Sequence, residues 1–244
     1  MSKNLFNGKT AKLLWFIKAV GSRRAFSRTL TLALAPLIVR MKKPGFFLFD
    51  GKQYRYFYHI YNTTWANERC VEIPILMESL RGANGRVLEV GNVLGHYIPV
   101  TWDVLDKYEK GPGVINEDIT AFIPAEKYDL VFSISTFEHI GFDDGREVSS
   151  GDKIMLAFEG LRVNCLKKGG KVVMTIPMGY NCEMDAIIAG GAIPLVEERY
   201  LKRIQKDVWQ EVSKSEALPC RFSTPFPYAN CIMVGSYRDQ TPRE

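Results

Sequence analysis

The stretch "RVLEVGNVLGHY", residues 86 to 97, constrains this chain most. An apolar run ends in Glu89, Val90 and a turn with two glycines, which reads as a buried strand breaking into a tight loop. From residue 85 onward, short apolar runs alternate with helical patterns. The expected strands are Arg86–Val90, Thr101–Asp106, Tyr128–Ser133 and Lys171–Ile176, with a further short run, "GVINEDI". Residues 150–170 read as an amphipathic helix with Ile154, Ala157, Phe158, Leu161 and Cys165 on one face, ended by Gly169-Gly170. Strand, helix, strand in this order implies an α/β fold of the Rossmann-like kind: a mostly parallel twisted sheet with right-handed crossovers and helices on both faces. "NCIMVGSYR" (230–238) is expected to be an antiparallel last strand, and residues 195–215 fit either a helix or a strand hairpin.

Ahead of this core, "FFLFDGKQYRYFYH" (46–59) places Asp50-Gly51 between two aromatic-rich runs, a hairpin signal. The next segment predicts a helix capped by Thr63 or Thr64 and stopped at Gly82, with Pro74 kinking or dividing it. The chain therefore divides into a basic arm (1–45), a hairpin and helix (46–84) and a core (85–244).

Charge is split along the same lines. Residues 1–49 carry ten Lys/Arg and no acid, while the remainder carries 22 basic against 27 acidic residues. A basic arm of this kind meets an anionic partner. Its longest uncharged run, Thr29–Val39, is too short to span a bilayer. Leu13, Leu14, Trp15, Phe16 and Ile17 suit an anionic membrane surface, with residues 1–43 as the contact. The same pattern fits a helix packed on the body or on a second subunit of a homodimer, and an acid-free start also fits an organellar transit peptide. A nucleic-acid partner is not expected, because the aromatics do not interleave with the charges as stacking platforms would. Five scattered cysteines with no CxxC spacing argue against a zinc knuckle or disulfide framework and for a reducing, cytoplasmic compartment.

In an open α/β sheet, ligands sit outside the carboxyl ends of the strands, where strand order reverses. The strand ends offer Glu89, Gly91 and Asn92, then Asp106 and Lys107, then Asp118 and Ile119, then "FSISTFEHI" with Ser133 and Ser135. An acid ending the second strand suits a ribose diol, and a second acid suits an exocyclic amine. No basic residue or glycine-rich helix start follows Gly91 to cradle phosphate. The set therefore fits a cofactor that carries adenosine without phosphate.

Segment 85–180 resembles the class I S-adenosylmethionine-dependent methyltransferases. "VLEVGNVLG" stands at the family's first motif, with Val93 at its second glycine. "WDVLDKYE", "INEDI", "YDLVFSISTFEHI" and "LKKGGKVVMTIPMGY" follow in family order. "YNTTWANERCVEIPI" together with "SISTFEHIG" is similar to a bacterial subset associated with cell-surface glycans. The resemblance implies S-adenosylmethionine as cofactor and an O-methyltransferase acting on a sugar or lipid-linked glycan hydroxyl, and the basic arm would hold such an enzyme peripherally on the inner face of a membrane. It implies cofactor contacts from Glu89, Gly91, Asn92, Asp106, Lys107, Asp118, Ile119, Ser133 and Ser135, with Arg69 meeting the cofactor's carboxylate. His139 follows the fourth strand, beside where the methyl group should lie, and reads as the general base, with Glu138 either orienting it or binding the cofactor. His96, Tyr97, Asp143, Asp144 and Tyr180 would line the acceptor pocket, and Asp143 and Asp144 have the oxygen ligands for a divalent metal such as magnesium. A small-metabolite O- or N-methyltransferase, or a non-catalytic binding protein of the same fold, stays open as an alternative.

Overall fold

The computed structural model describes residues 34–142, 150–193, 195 and 197–239. The chain forms two compact units, residues 1–43 and Pro44–Glu244. Of the first unit, residues 34–41 are helical, and the rest of the arm, including the apolar cluster at 13–17, lies outside the described residues. Among the described residues no helix is long and apolar enough to cross a membrane.

The second unit opens with the hairpin. Strands β1 (Phe46–Phe49) and β2 (Lys52–Arg55) pair antiparallel around Asp50 and Gly51, both left-handed with φ of 50° and 69°. Two consecutive positive φ values make the mirror-image turn whose twist matches the strands, which is why Asp-Gly predicts it.

Helix α1 spans Arg69–Arg81 and starts later than expected. Thr64 is not its cap. Its hydroxyl donates to the Phe57 carbonyl at 2.8 Å and accepts the His59 amide at 2.7 Å, fastening the preceding turn instead. Pro74 does not break the helix. A proline removes the amide that would bond the carbonyl four residues back. That carbonyl belongs to Cys70, and the amide of Phe57 takes it at 2.9 Å. The chain leaving the hairpin thus fills the vacancy that Pro74 creates.

The central sheet comprises β3 (Val87–Val90), β4 (Asp103–Leu105), β5 (Val114–Ile115), β6 (Tyr128–Ile134), β7 (Leu166–Pro177), β8 (Glu197–Gln205), β9 (Val208–Val212) and β10 (Cys231–Arg238). Its order is β5-β4-β3-β6-β7-β10-β8-β9. The first five are parallel, and β10 is antiparallel to both β7 and β8. This is a Rossmann-like doubly wound sheet: β3 sits in the middle, the chain steps outward to β5, then returns to β6 on the other side of β3. Residues 195–215 resolve as the β8–β9 hairpin.

Helix α2 (Ser150–Gly160) continues into a wider turn, Leu161–Cys165, and buries the expected face of Ile154, Ala157, Phe158, Leu161 and Cys165. Gly169-Gly170 does not end that helix. The chain turns into β7 already at Leu166, and Gly170 lies where a Cβ would come within 2.8 Å of the Lys167 carbonyl. The two glycines serve a register shift between β6 and β7, before regular pairing starts at Leu130 and Lys171.

Alternation along β6 separates two cores. Val131 joins Leu88, Val90, Met174 and the faces of α2 and of α3 (Cys182–Ala189). Leu130, Phe132 and Ile134 join Val173, Ile73, Leu76 and the aromatics of the hairpin. The hairpin and α1 therefore cover one face of the sheet as part of a single folded body with the core.

Candidate functional site

A cavity of about 250 Å³ opens at the carboxyl ends of β3, β4 and β6, where strand order reverses. Its lining includes Gly91, Asp106, Lys107, Asp118, Ile119 and His139. These residues are 48 positions apart at the extremes, and the parallel sheet brings them together.

The loop after β3 is built from within. Glu89 is fully buried, and its Oε1 accepts the amides of Val93 at 2.9 Å and Leu94 at 2.7 Å. Its Oε2 accepts the indole N–H of Trp102 at 3.0 Å. Burial pushes this carboxyl above its ordinary range, against the pull of the three donors. Glu89 thus shapes the loop and anchors the start of β4, and it is absent from the cavity wall. The Val93 bond uses only the backbone N–H, so the loop holds this shape without a glycine at that position. Gly91 is needed for another reason. Its φ is 87°, and a Cβ there would lie 2.2 Å from the hydroxyl oxygen of Thr136.

Asp106 has two tasks. Its Oδ2 accepts the Asn92 amide at 3.1 Å, and its Oδ1 accepts the amides of Tyr108 and Glu109 at 2.8 and 2.7 Å. Three bonds leave about one acceptor site of a carboxylate's four facing the cavity. Asn92 itself turns to Glu109, donating at 2.8 Å, and does not line the cavity. Asp118 forms an ion pair with Lys107 at 2.9 Å and accepts both the amide and the hydroxyl of Thr120. Burial raises its pKa, but the Thr120 bonds and Lys107 outweigh burial and hold the carboxyl below its ordinary value. Between these acids the walls are apolar: Val90, Leu105, Ile119 and Ile140. An apolar slot with carboxylates on its rim fits a flat heterocycle carrying hydroxyl and amine donors. Among the described residues the lining has no arginine and Lys107 is held by Asp118, so these residues form no pyrophosphate cradle.

Three further expected contacts lie elsewhere. The Ser133 hydroxyl is buried and donates to the Val90 carbonyl at 2.8 Å, so it is a core hydroxyl. Ser135 has a φ of 42°, a left-handed bend that ends the strand alternation. Its hydroxyl donates to Glu72 at 2.5 Å, and Thr136, not a serine, stands at the cavity wall. Thr136 carried no sequence signal beyond its neighbourhood. Arg69 is engaged by Glu72 and does not line the cavity.

His139 ends a short turn, Phe137–His139, and lines the cavity while remaining 41% exposed. The Tyr180 hydroxyl lies 3.3 Å from its Nδ1, and Glu138 Oε1 lies 3.6 Å from its Nε2. Asn181 holds the two loops in register. Its side-chain amide donates to the Glu138 carbonyl at 2.9 Å, while its oxygen caps α3 through the amides of Glu183 and Met184. Burial pushes the Glu138 carboxyl well above its ordinary value, and its Oε2 has no hydrogen-bond partner among the described residues. Phe142 and Phe222 pack on Tyr180 at ring distances of 5.6 and 5.1 Å.

His96 and Tyr97 belong to a second aromatic group. Tyr61 stacks on His96 at 4.6 Å and meets Tyr97 edge-on at 5.4 Å, and His96 Nε2 lies 3.3 Å from Glu109. Neither lines the cavity. Asp143 and Asp144 lie outside the described residues, and among the described residues no cluster of ligands suits a metal ion.

No family model matches the chain, and no curated protein matches it. Solved structures do. The chain is similar to the N-methyltransferase NodS of Bradyrhizobium japonicum WM9, bound to S-adenosyl-L-homocysteine, at 16% identity and a TM-score of 0.45, covering 69% of this chain and 85% of that one. It is similar to a S-adenosylmethionine-dependent methyltransferase of Thermotoga maritima, described as a possible histamine N-methyltransferase, at 12% identity and a TM-score of 0.41, covering 68% and 87%. TehB of Haemophilus influenzae matches at 12% identity and a TM-score of 0.44, covering 74% and 65%. The likeness is one of fold.

Proposed function

We propose that the protein is an S-adenosylmethionine-dependent O-methyltransferase acting on a hydroxyl of a sugar or lipid-linked glycan. The observation that carries this reading is the placement of His139 on the same cavity wall as Asp106 and Asp118, at the reversal of strand order. The acids and the aliphatic slot suit an adenosine moiety, and the lack of a phosphate cradle disfavours a dinucleotide. When bound, the cofactor supplies an electrophilic methyl group on sulfur. The protein's part is to align the acceptor and to take its proton. His139 has one ring nitrogen beside Tyr180, which leaves the imidazole oriented in the cavity wall. A sugar hydroxyl is a weak acid, so the imidazole accepts its proton only as the new bond to oxygen forms. Alignment contributes up to about 7–11 kcal/mol to such a reaction. The aromatic rings of Tyr180, Phe142 and Phe222 beside His139 offer flat apolar faces of the kind on which a sugar ring packs.

Calorimetry with S-adenosylmethionine tests the cofactor, and no binding at about millimolar concentration, near −4 kcal/mol, ends the reading. A methyl-transfer screen over sugars and lipid-linked glycans, with and without magnesium, tests the acceptor. His139→Ala is expected to lower turnover by about 10²–10⁴-fold. Transfer to a nitrogen acceptor that survives His139→Ala would instead favour a small-metabolite N-methyltransferase. We further propose that the acid-free segment 1–49, with its ten Lys/Arg, brings the enzyme to the anionic cytoplasmic face of a membrane. Unchanged partitioning to anionic liposomes after deletion of residues 1–43 would reject this.

A further inference from the structure

A larger groove, of about 550 Å³, lies at the amino-terminal side of the parallel strands, away from the cavity that holds His139. One face of β7, β10 and β8 forms its floor, and the hairpin and the carboxyl-terminal turns of α1 form its walls. Its charges are unevenly matched. Asp50 pairs with Arg199 at 2.7 Å, Glu78 pairs with Arg81 at 3.2 Å, and Glu197 accepts the Ser236 hydroxyl at 3.1 Å. Three cations remain. Lys171 and Arg238 stand directly opposite each other in the antiparallel β7–β10 pair, and Lys52 reaches in from the hairpin. None of the three has a carboxylate within ion-pair distance among the described residues.

Like charges directly opposite on one sheet face destabilise the pair. Here one of them, Lys171, is half-buried on the groove floor. Burial, then Arg238, press its ammonium below the ordinary lysine value; Glu197 opposes this, Lys52 adds to it, and Asp50 opposes it again. An oxyanion seated between the three would accept charge-assisted hydrogen bonds from each and cancel the repulsion. The groove's volume is that of a small-molecule site.

We propose that this groove is a second ligand site that binds a phosphate group through Lys52, Lys171 and Arg238. A phosphate group brings about −1.5 to −2 charge to the three cations, against −1 for a carboxylate. The inference does not depend on the methyl-transfer reading, since no residue of the groove lines the other cavity.

The test follows backbone amide shifts of the full chain during titration with inorganic phosphate at constant ionic strength. Saturable shifts centred on Lys171, Ser236 and Arg238 are expected. Lys171→Met is expected to weaken binding by about tenfold or more, the loss of one hydrogen bond to a charged group. Without phosphate, Lys171→Met is expected to raise the melting temperature by about 1–3 °C, since a like-charge pair is relieved. Arg238→Gln, at the exposed end of the strand, should weaken binding in the same way and guards against misfolding of the first variant. A parallel arm uses phosphatidate vesicles: retention that both substitutions abolish assigns a lipid headgroup as source, and a response to inorganic phosphate alone assigns a soluble ligand. No saturable response to either probe up to about 10 mM, weaker than −3 kcal/mol, overturns the proposal. So do shifts that map elsewhere or survive both substitutions.

Discussion

Gly91→Ala tests the turn that opens the candidate site, and the structure sets its size. Two separate penalties apply. The backbone at Gly91 has φ of 87°, and holding a side-chain-bearing residue in such a region costs about 1–3 kcal/mol. The new methyl would also lie 2.2 Å from Thr136 Oγ1, 2.8 Å from its Cγ2 and 3.0 Å from its Cβ. Thr136 cannot simply swing away, because its hydroxyl donates to the Ile134 carbonyl at 3.2 Å. Overpacking of this kind costs about 1–3 kcal/mol. The sum is about 2–6 kcal/mol, or a fall in melting temperature of at least about 4 °C for a chain of this length. The assay is urea unfolding of a double-mutant cycle with Thr136→Ala. That second change removes the two closest atoms and leaves only the contact with Cβ. The double variant should therefore recover about 1–3 kcal/mol relative to the sum of the single changes, while the backbone penalty stays. A Gly91→Ala variant within about 0.5 kcal/mol of wild type, or a cycle with no coupling, would refute the claim that Thr136 is the reason for the glycine.

Glu89→Gln should cost about 1–3 kcal/mol in unfolding free energy, because an amide nitrogen would face at least one of three donors already aimed at the carboxylate. Trp102→Phe removes only one of those bonds, so its loss of hydrogen-bond energy is about 1 kcal/mol. Glu138→Gln should raise the melting temperature at neutral pH. The folded-state pKa of Glu138 lies above the unfolded one, so the folded protein binds more protons between the two values and loses stability as pH rises through that window. The glutamine variant should show a flatter stability profile over the same window, and an unchanged profile would show that Glu138 is ionised without penalty. If His139 acts as base, Tyr180→Phe should lower kcat/KM by about tenfold, the worth of one hydrogen bond, with a shifted pH profile rather than a weaker cofactor affinity.

Local chemistry wrote much of this fold into the sequence in readable form. Asp50-Gly51 demanded a mirror-image turn and made one, and the apolar face of α2 was set by helical spacing alone. What could not be read is what one segment does for another. Pro74 seemed to forbid a continuous helix, because the amide that replaces its missing donor comes from Phe57, seventeen positions earlier. Gly169-Gly170 looked like a helix stop, since nothing local distinguishes a stop from a register shift beside a partner strand.

The candidate site divides along the same line. Its position and its two rim acids followed from strand order, yet Glu89, Asn92 and Asp106 spend most of their hydrogen bonds holding the loops together. Loop residues at a strand end must satisfy the amides freed when the ladder stops, and short acids do this at the same positions where a ligand would want them. Sequence pattern alone therefore overstates how many of these side chains face a ligand. Ser133 and Ser135 show the geometric version of this limit. Both were expected to meet the cofactor, and a single left-handed φ at Ser135 turns the chain so that Thr136 lines the cavity and Ser135 joins Glu72 in the interior. The acid network behind that bend, Glu68, Glu72 and Glu138 around Arg69, is packed from two segments about 70 residues apart. Burial pushes the Glu138 carboxyl well above its ordinary value, Arg69 opposes this, and Glu72 and Glu68 add to it, so the environment that sets this group beside His139 comes from a segment remote in sequence.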